Sequence, residues 1–178
     1  MARTVTWDIG KTAMLAAFLS VAGPVGARAQ AVTVAGGALD SGFTGADVYL
    51  GTPKAAKAPA TKACSAARSY VDLINGGQFQ KLAGLFEEDG VVLDPMRQDI
   101  RGRDQIRAFY EGRIGKMRPE LIAVAYLANG RDCMVELAAR RDVRGAMRYA
   151  LVSIDHFTLG KAGKIARMVA FARPPRTE

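Results

Sequence analysis

The stretch Met147-Arg-Tyr-Ala-Leu-Val-Ser-Ile-Asp-His-Phe-Thr-Leu159 predicts one long β-strand, rich in apolar and β-branched residues and ended by Gly160. Side chains alternate between the two faces of a strand. Asp155 should therefore share a mostly apolar face with Leu151 and Phe157. An ionised carboxylate is costly to bury there, so Asp155 is either paired with a cation or kept protonated as a hydrogen-bond donor. Because no Lys or Arg lies on its face of the strand, the second alternative is favoured.

The residues around this strand predict an α+β fold. Apolar residues recur at helical spacing in three stretches, 61–74, 79–87 and 103–113. A short strand at 90–94 ends before Pro95, and the last third predicts further strands at about 119–128, 131–142, 145–159 and 164–172. Helices followed by a meander of long strands are typical of α+β domains. A curved sheet wrapped around the helices would form a cone with one open mouth, which suits a ligand pocket.

The N-terminal third of the sequence predicts a signal for export and a linker, and not a part of the folded domain. Residues 1–29 combine a basic start, a short apolar run and small residues before Gln30, which is the pattern of a cleavable signal peptide. An uncleaved anchor is the alternative. Residues 30–60 are rich in Ala, Gly, Lys and Pro and predict a disordered linker, with weak order only around Val48. The folded domain should span 61–178, in a periplasmic or secreted protein with no stable membrane span after cleavage.

Charge and cysteine content exclude several other classes of protein. The formal net charge is +8, but the basic residues are scattered and form no run of five, which favours a solvated surface over nucleic-acid binding. Cys64 and Cys133 have no neighbours at metal-ligand spacing, so a zinc site is not predicted. The sequence favours two small buried side chains and leaves open whether they pair in an oxidising compartment.

Three polar residues, Tyr70 on the buried face of the first helix, Asp94 at the end of the first strand and Asp155, stand in a recognisable order. The sequence motifs at these positions are Ser-Tyr70-Val, Val-Leu-Asp94-Pro and Ile-Asp155-His-Phe, and a further motif, Ala-Phe-Tyr110, lies in the third predicted helix. In this order, residues 63–173 resemble the bacterial Δ5-3-ketosteroid isomerases of the NTF2-like, or SnoaL-like, superfamily. The resemblance implies a cone in which three N-terminal helices pack in a curved mixed or antiparallel sheet.

The resemblance also implies a reaction, the transfer of a proton from C4 to C6 of a β,γ-unsaturated 3-ketosteroid. Asp94 matches the base that carries the proton, and Tyr70 with a protonated Asp155 matches the pair of donors to the dienolate oxygen. No metal or other cofactor is implied. Each residue has a simpler alternative, in which Asp94 caps a turn, Tyr70 is an ordinary core residue and Asp155 pairs with an Arg. Arg97 would weaken the base if it paired with Asp94.

A hydrophobic 3-ketosteroid-like substrate and a homodimer are further implications of the resemblance. The predicted substrate-binding residues, each with core packing as its alternative, are Phe86, Phe109, Tyr110, Met117, Met134, Phe157 and Phe171. His156 points away from Asp155 and is not expected to take part in catalysis. The outer face of the long strand, with Ala150, Val152 and Ile154, is apolar enough to need cover by a second subunit. The alternative functions are a non-catalytic exported binder of a hydrophobic molecule and a related NTF2-like hydrolase or cyclase.

Overall fold

The structure, a computed structural model, describes residues 31–35, 39–40, 48–96, 98–143 and 145–172. The predicted signal peptide at 1–29 lies outside the described residues. Two longer helices are α1, Lys62–Asn75, and α3, Arg103–Phe109, and two short ones are α2, Phe79–Gly84, and α4, Gly115–Met117. A π-helical turn, Tyr110–Ile114, joins α3 to α4. Within the described residues no helix is long and apolar enough to cross a membrane.

In the described part of the chain, nine strands form one curved, mixed sheet that does not close on itself. The short N-terminal strands are β1, Ala31–Val34, β2, Leu39–Asp40, and β3, Val48–Tyr49. The remaining strands are β4, Phe86–Leu93, β5, Asp99–Arg101, β6, Leu121–Asn129, β7, Asp132–Val143, β8, Ala146–Leu159, and β9, Ile165–Ala172. The order is β1-β6-β7-β8-β9-β4-β5, with β3 on β8 and β2 on β3, and the β4–β9 pair is parallel. The α+β prediction is therefore confirmed.

Helix α1 is the element that fills the concave side of the sheet. Thr61 caps its N-terminus by accepting a hydrogen bond from the Cys64 N–H, and Gly76 follows its last turn. Its apolar stripe packs on β6, β7 and β8, and Ala63, Ala67 and Tyr70 are buried. The two alanines let the helix approach the strands closely, and Tyr70 is the large polar side chain that this approach carries into the interior.

The second predicted helix was too long, because α2 ends at Gly84 and Phe86 already belongs to β4. Phe86 pairs with Ile165 at the start of β9, and this parallel pairing competes with helix formation in the stretch 85–87. The predicted helix at 103–113 also changes character, since its second half takes up the wider π-turn. Gly115 follows that turn, and a Cβ there would lie 2.7 Å from the Phe79 ring, so glycine allows α4 to pass α2.

The predicted disordered linker at 30–60 is wrong for its second half. Val48 pairs with Ala150 of β8 and is buried, as is Pro59. The Ala56 N–H donates a hydrogen bond to the carbonyl of Ala123 in β6. Small Ala and Pro side chains let this segment lie flat against the domain. Amino-acid composition alone predicts disorder here because it does not take such packing into account. The folded unit therefore includes residues before Thr61.

Strict alternation along β8 was also a wrong prediction, because the strand carries a bulge at Val152. Leu137 pairs with Ser153, whereas the next residue, Ala138, pairs with Leu151. The extra residue reverses the faces of the strand before it. Leu151 accordingly packs with Tyr149 in a separate cluster on the outer face, and does not share the face of Asp155. Val152 packs against the main core and Ala150 is buried, so of the predicted outer apolar residues Ile154 alone is exposed.

Cys64 and Cys133 form a disulfide with a Cα–Cα distance of 5.1 Å across 69 residues of sequence. The pairing that the sequence left open joins the first turn of α1 to the start of β7. Both residues are fully buried. The bond therefore fixes α1 against the sheet close to Phe157, which is the cross-strand partner of Cys133.

Candidate functional site

A cavity of about 460 Å³ opens between α1, the π-turn and the concave side of β7, β8 and β9. Its walls are mostly apolar. Tyr70, Asp94, Tyr110 and Asp155 all line it, so the topology brings together three side chains that lie far apart in sequence and adds the tyrosine of the π-turn. The remaining lining residues are Ile74, Val92, Pro95, Phe109, Arg113, Ile114, Met117, Pro119, Leu121, Leu137, Ala139, Arg140, Arg141, Val152, Ser153, Met168, Ala170 and Ala172.

Tyr70 and Tyr110 form a hydrogen-bonded pair at the inner end of the cavity. Their hydroxyl oxygens are 2.8 Å apart, and their rings meet edge to face with centroids 5.7 Å apart. Burial is the first cause that raises the pKa of both hydroxyls far above the ordinary value of 10.0. Both tyrosines are therefore neutral at physiological pH, and one hydroxyl hydrogen of the pair is available to a ligand.

Asp155 lies beside this pair on β8 and is only 4% exposed. Burial raises the pKa of its carboxyl from 3.8 to about 7, although hydrogen bonding with Ser153 and Tyr70 partly opposes the effect. Its Oδ1 atom is buried and has no hydrogen-bond partner among the described residues. A buried carboxyl oxygen without a protein partner is a polar group that a ligand atom could satisfy. The alternative in which Asp155 pairs with an Arg has no support in the described ion pairs, none of which includes this residue.

Asp94 lies on the same cavity, just beyond the end of β4. Its Oδ1 atom accepts the N–H of Met96, which is the turn-capping role that the sequence offered as the alternative. Its Oδ2 atom accepts a hydrogen bond from Arg113 Nη1 at 2.7 Å, and the carboxylate is 3% exposed against 42% for the arginine side chain. Asp94 thus both caps a turn and faces the cavity, with a cation on one oxygen.

Arg113 is the residue that the sequence argument missed. The predicted partner of Asp94 was Arg97, which lies outside the described residues. Arg113 follows Tyr110 by three residues, and the π-turn directs both side chains to the cavity. Its guanidinium also lies 5.6 Å from the centre of the Phe109 ring. The three-residue spacing on one helix face was the available signal, but the sequence did not show that this helix faced Asp94.

The predicted substrate-binding residues divide into two groups. Phe109, Tyr110 and Met117 line the cavity. The other four do not, for three different reasons. Phe86 and Phe157 are fully buried in the core, where Phe157 packs edge to face on Tyr70 with ring centroids 5.0 Å apart. Met134 pairs with His156 on the outer face, where His156 contacts Asp132. Phe171 is 56% exposed and pairs with Ile154 on that face, because Ala170 and Ala172 are the β9 residues that point inward.

Comparison with known proteins relates the chain to one domain family, to a curated sequence relative and to several solved structures. Residues 67–168 match the SnoaL-like domain. A steroid Δ-isomerase from Nocardioides simplex is 32% identical over 112 residues, covering 62% of this chain and 89% of that protein. The RV0760c protein of Mycobacterium tuberculosis, solved in complex with estradiol-17β-hemisuccinate, superposes with a TM-score of 0.53 at 16% identity, covering 62% of this chain and 93% of that chain. A computationally designed 17-OHP binder gives 0.52 at 16% identity, with the same coverage of both chains.

The two structural neighbours support the fold alone, because their sequences are too different to carry a function. The family rests on sequence, since the matched domain covers more than half of the chain and the steroid Δ-isomerase is covered almost throughout its length. The predicted NTF2-like cone, with helices packed in a curved mixed sheet, is confirmed. This chain belongs to the SnoaL-like family of NTF2-like proteins, and a steroid Δ-isomerase is among its relatives.

Proposed function

We propose that this protein is a steroid Δ5-3-ketoisomerase, which moves a β,γ double bond into conjugation with a 3-ketone. The observation that carries the proposal is the meeting of Asp94, Tyr70 and Asp155 on one mostly apolar cavity. The cavity volume of about 460 Å³ falls in the range of small-molecule sites. The relationship to a steroid Δ-isomerase supports a steroid as the ligand class.

Asp94 is the base in this proposal. Its carboxylate takes the proton from C4, the C4–H bonding electrons move into a dienolate, and the same carboxyl group returns the proton to C6. One carboxylate can perform both halves because the proton never leaves the site. The apolar walls exclude water that would compete for this proton. The reaction needs no redox partner, since the substrate and the product are isomers.

Tyr70 and protonated Asp155 are the donors to the oxygen of the dienolate. Abstraction of the C4 proton places negative charge on the 3-oxygen, and donors already in position stabilise that charge without reorganising. The raised pKa of Asp155, about 7, keeps the carboxyl protonated near and below neutral pH, as donation requires. Tyr110 orients the Tyr70 hydroxyl through their 2.8 Å hydrogen bond.

The test is conversion of a 5-ene-3-one steroid to the conjugated 4-ene-3-one, followed by ultraviolet absorbance. Wild-type protein should convert it, and Asp94→Asn should lower kcat by about 10²–10⁴-fold, because the amide cannot accept the proton. Asp132→Asn is the matched control, since Asp132 lies on the outer face with His156 and should leave the rate unchanged. Absence of turnover in the wild type would overturn the isomerase proposal.

The ion pair between Arg113 and Asp94 favours a second candidate, a non-catalytic binder of a hydrophobic ligand. A guanidinium on Oδ2 and an N–H on Oδ1 engage both oxygens of the proposed base. In a binder these contacts would simply fix the cavity wall. Tight binding of the conjugated steroid by wild-type protein that shows no turnover would establish this function in place of the first.

A further inference from the structure

The mouth of the cavity is positively charged, in contrast to its apolar interior. Arg141, from the end of β7, lines the cavity together with Arg113 on the opposite wall. Arg113 is neutralised by Asp94, whereas Arg141 makes no hydrogen bond or ion pair within the part of the chain that the structure describes. A half-buried cation on a ligand cavity without a protein counter-charge is a site for an anion.

The distance from the donors to this mouth decides what kind of molecule would carry the anion. Asp155 pairs with Val135, and Arg141 lies six residues further along β7, which corresponds to roughly 20 Å of strand. A four-ring steroid nucleus whose 3-oxygen sits at Asp155 is shorter than this distance. A side chain at the far end of the nucleus would cover much of the remainder, and the flexible Arg141 side chain would reach back to meet it. Between the two ends the wall is apolar, with Leu137, Ala139 and Ala170.

We propose that the preferred substrate is an acidic steroid, with the 3-ketone at Tyr70 and Asp155 and a side-chain carboxylate at Arg141. This inference rests on the proposed function and deepens it. The Arg141 guanidinium would bind the carboxylate through two parallel hydrogen bonds, and the geometry of the pair would fix the direction in which the steroid enters. The charge would also attract acidic substrates to the mouth at low ionic strength.

The experiment measures binding, so that it does not depend on turnover. Isothermal titration calorimetry compares a 4-ene-3-one steroid that carries a carboxylic acid side chain with its methyl ester, at about pH 6. At this pH the ligand is ionised while Asp155, with a pKa of about 7, remains protonated. Wild-type protein should bind the acid about tenfold more tightly than the ester, as expected for a hydrogen-bonded charge pair. The preference should fall as salt is added.

Variants of Arg141 test whether this residue causes the preference for the acid over the ester. Arg141→Gln should reduce it to less than about threefold, since the charge is lost, while Arg141→Lys should keep only part of it, because an ammonium group keeps the charge but cannot form the two parallel hydrogen bonds. The matched control is Arg167→Gln, which removes one exposed positive charge from β9 outside the cavity and should keep the tenfold preference. Equal binding of acid and ester by the wild type would overturn the inference and leave the isomerase proposal intact. Failure of both ligands to bind would overturn the inference and the steroid assignment together.

Discussion

Asp155 is the residue on which the proposed chemistry depends, because it can donate a hydrogen bond only while it is protonated. In the sequence, a strand face without Lys or Arg favours a protonated carboxyl. The structure gives a different and stronger reason, which is that the packing of α1 against β8 removes the carboxyl from water. A pKa of about 7 then places the change of protonation state within the physiological range.

The first prediction at this scale concerns the pH dependence of Asp155→Asn. In the wild type, kcat/KM should fall as the pH rises through about 7, because the donor becomes an anion facing the dienolate oxygen. The amide of Asn is a donor at every pH, so the variant should lose this dependence. Activity measured from about pH 5 to about pH 9 checks the expectation, and a wild-type profile that is flat across pH 7 would contradict it.

The free energy of unfolding should also depend on the protonation of Asp155, and the raised pKa determines the direction of this dependence. The folded-state pKa of Asp155 is raised from 3.8 to about 7, so the unfolded chain releases this proton first as the pH rises. The wild type should therefore lose free energy of unfolding relative to Asp155→Asn between about pH 4 and pH 7, by about 4 kcal/mol in the limit, with no further change above that range. Urea denaturation at several pH values measures this difference.

Tyr70 and Tyr110 form a pair whose members should be unequal in catalysis. Tyr70→Phe should lower kcat by about 10²–10³-fold, the usual cost of one oxyanion donor. Tyr110→Phe should cost less, about tenfold, because it removes only a hydrogen bond that orients Tyr70. Both changes keep a buried aromatic ring, so each variant controls for the packing of the other. Equal losses would contradict this division of roles, and a larger loss for Tyr110→Phe would identify Tyr110 as the donor.

At the scale of elements, the bulge in β8 and the π-turn after α3 decide what faces the cavity. The bulge puts neighbouring residues Val152 and Ser153 on the cavity wall and sends Leu151 outward. The π-turn directs Tyr110, Arg113 and Ile114 inward. Both are departures from regular periodicity, and such departures are frequent next to functional sites.

The disulfide is the element-scale link that should control stability. It closes 69 residues between α1 and β7, so the double variant Cys64→Ala/Cys133→Ala should lower the free energy of unfolding by about 2–4 kcal/mol. Guanidinium denaturation measures the change. Wild-type protein in a reducing agent is the matched control, because it loses the bond and keeps both sulfur atoms. An unchanged midpoint for the reduced wild type would contradict the prediction.

At the scale of the whole molecule, the exposed apolar residues of the outer sheet face need an explanation. Ile154 and Phe171 are cross-strand partners on β8 and β9, and they are 39% and 56% exposed. Adjacent apolar side chains of this kind mark contact surfaces. We propose that this pair forms part of a homodimer interface, which keeps Ile154 of the predicted outer face but not Ala150 and Val152.

Light scattering tests the dimer directly. The wild type should have twice the mass of one chain, and Phe171→Lys should shift it to the monomer, because a charge would be buried in the interface. Leu50→Lys is the control, since Leu50 is 64% exposed on another part of the molecule and should leave the dimer intact. A monomeric wild type would refute the proposal.

Export also belongs to this scale. A disulfide persists in oxidising compartments, which supports the proposal that the protein leaves the cytoplasm through the predicted signal peptide. Sequencing of the mature N-terminus, expected at Gln30, is the measurement that decides it.

The sequence by itself determined the α+β class, the order of the main helices and strands, and the three polar residues of the site. These depend on local periodicity and on short sequence motifs such as Val-Leu-Asp94-Pro, which can be recognised without knowledge of the tertiary structure. Only the tertiary structure decided which side chains reach the cavity. Arg113 meets Asp94 because of the π-turn, Cys64 meets Cys133 because of the placement of α1, and Phe171 lies on the outer face because it pairs with Ile154 of β8. Those features arise from contacts between residues distant in sequence, and no single stretch of the chain encodes them.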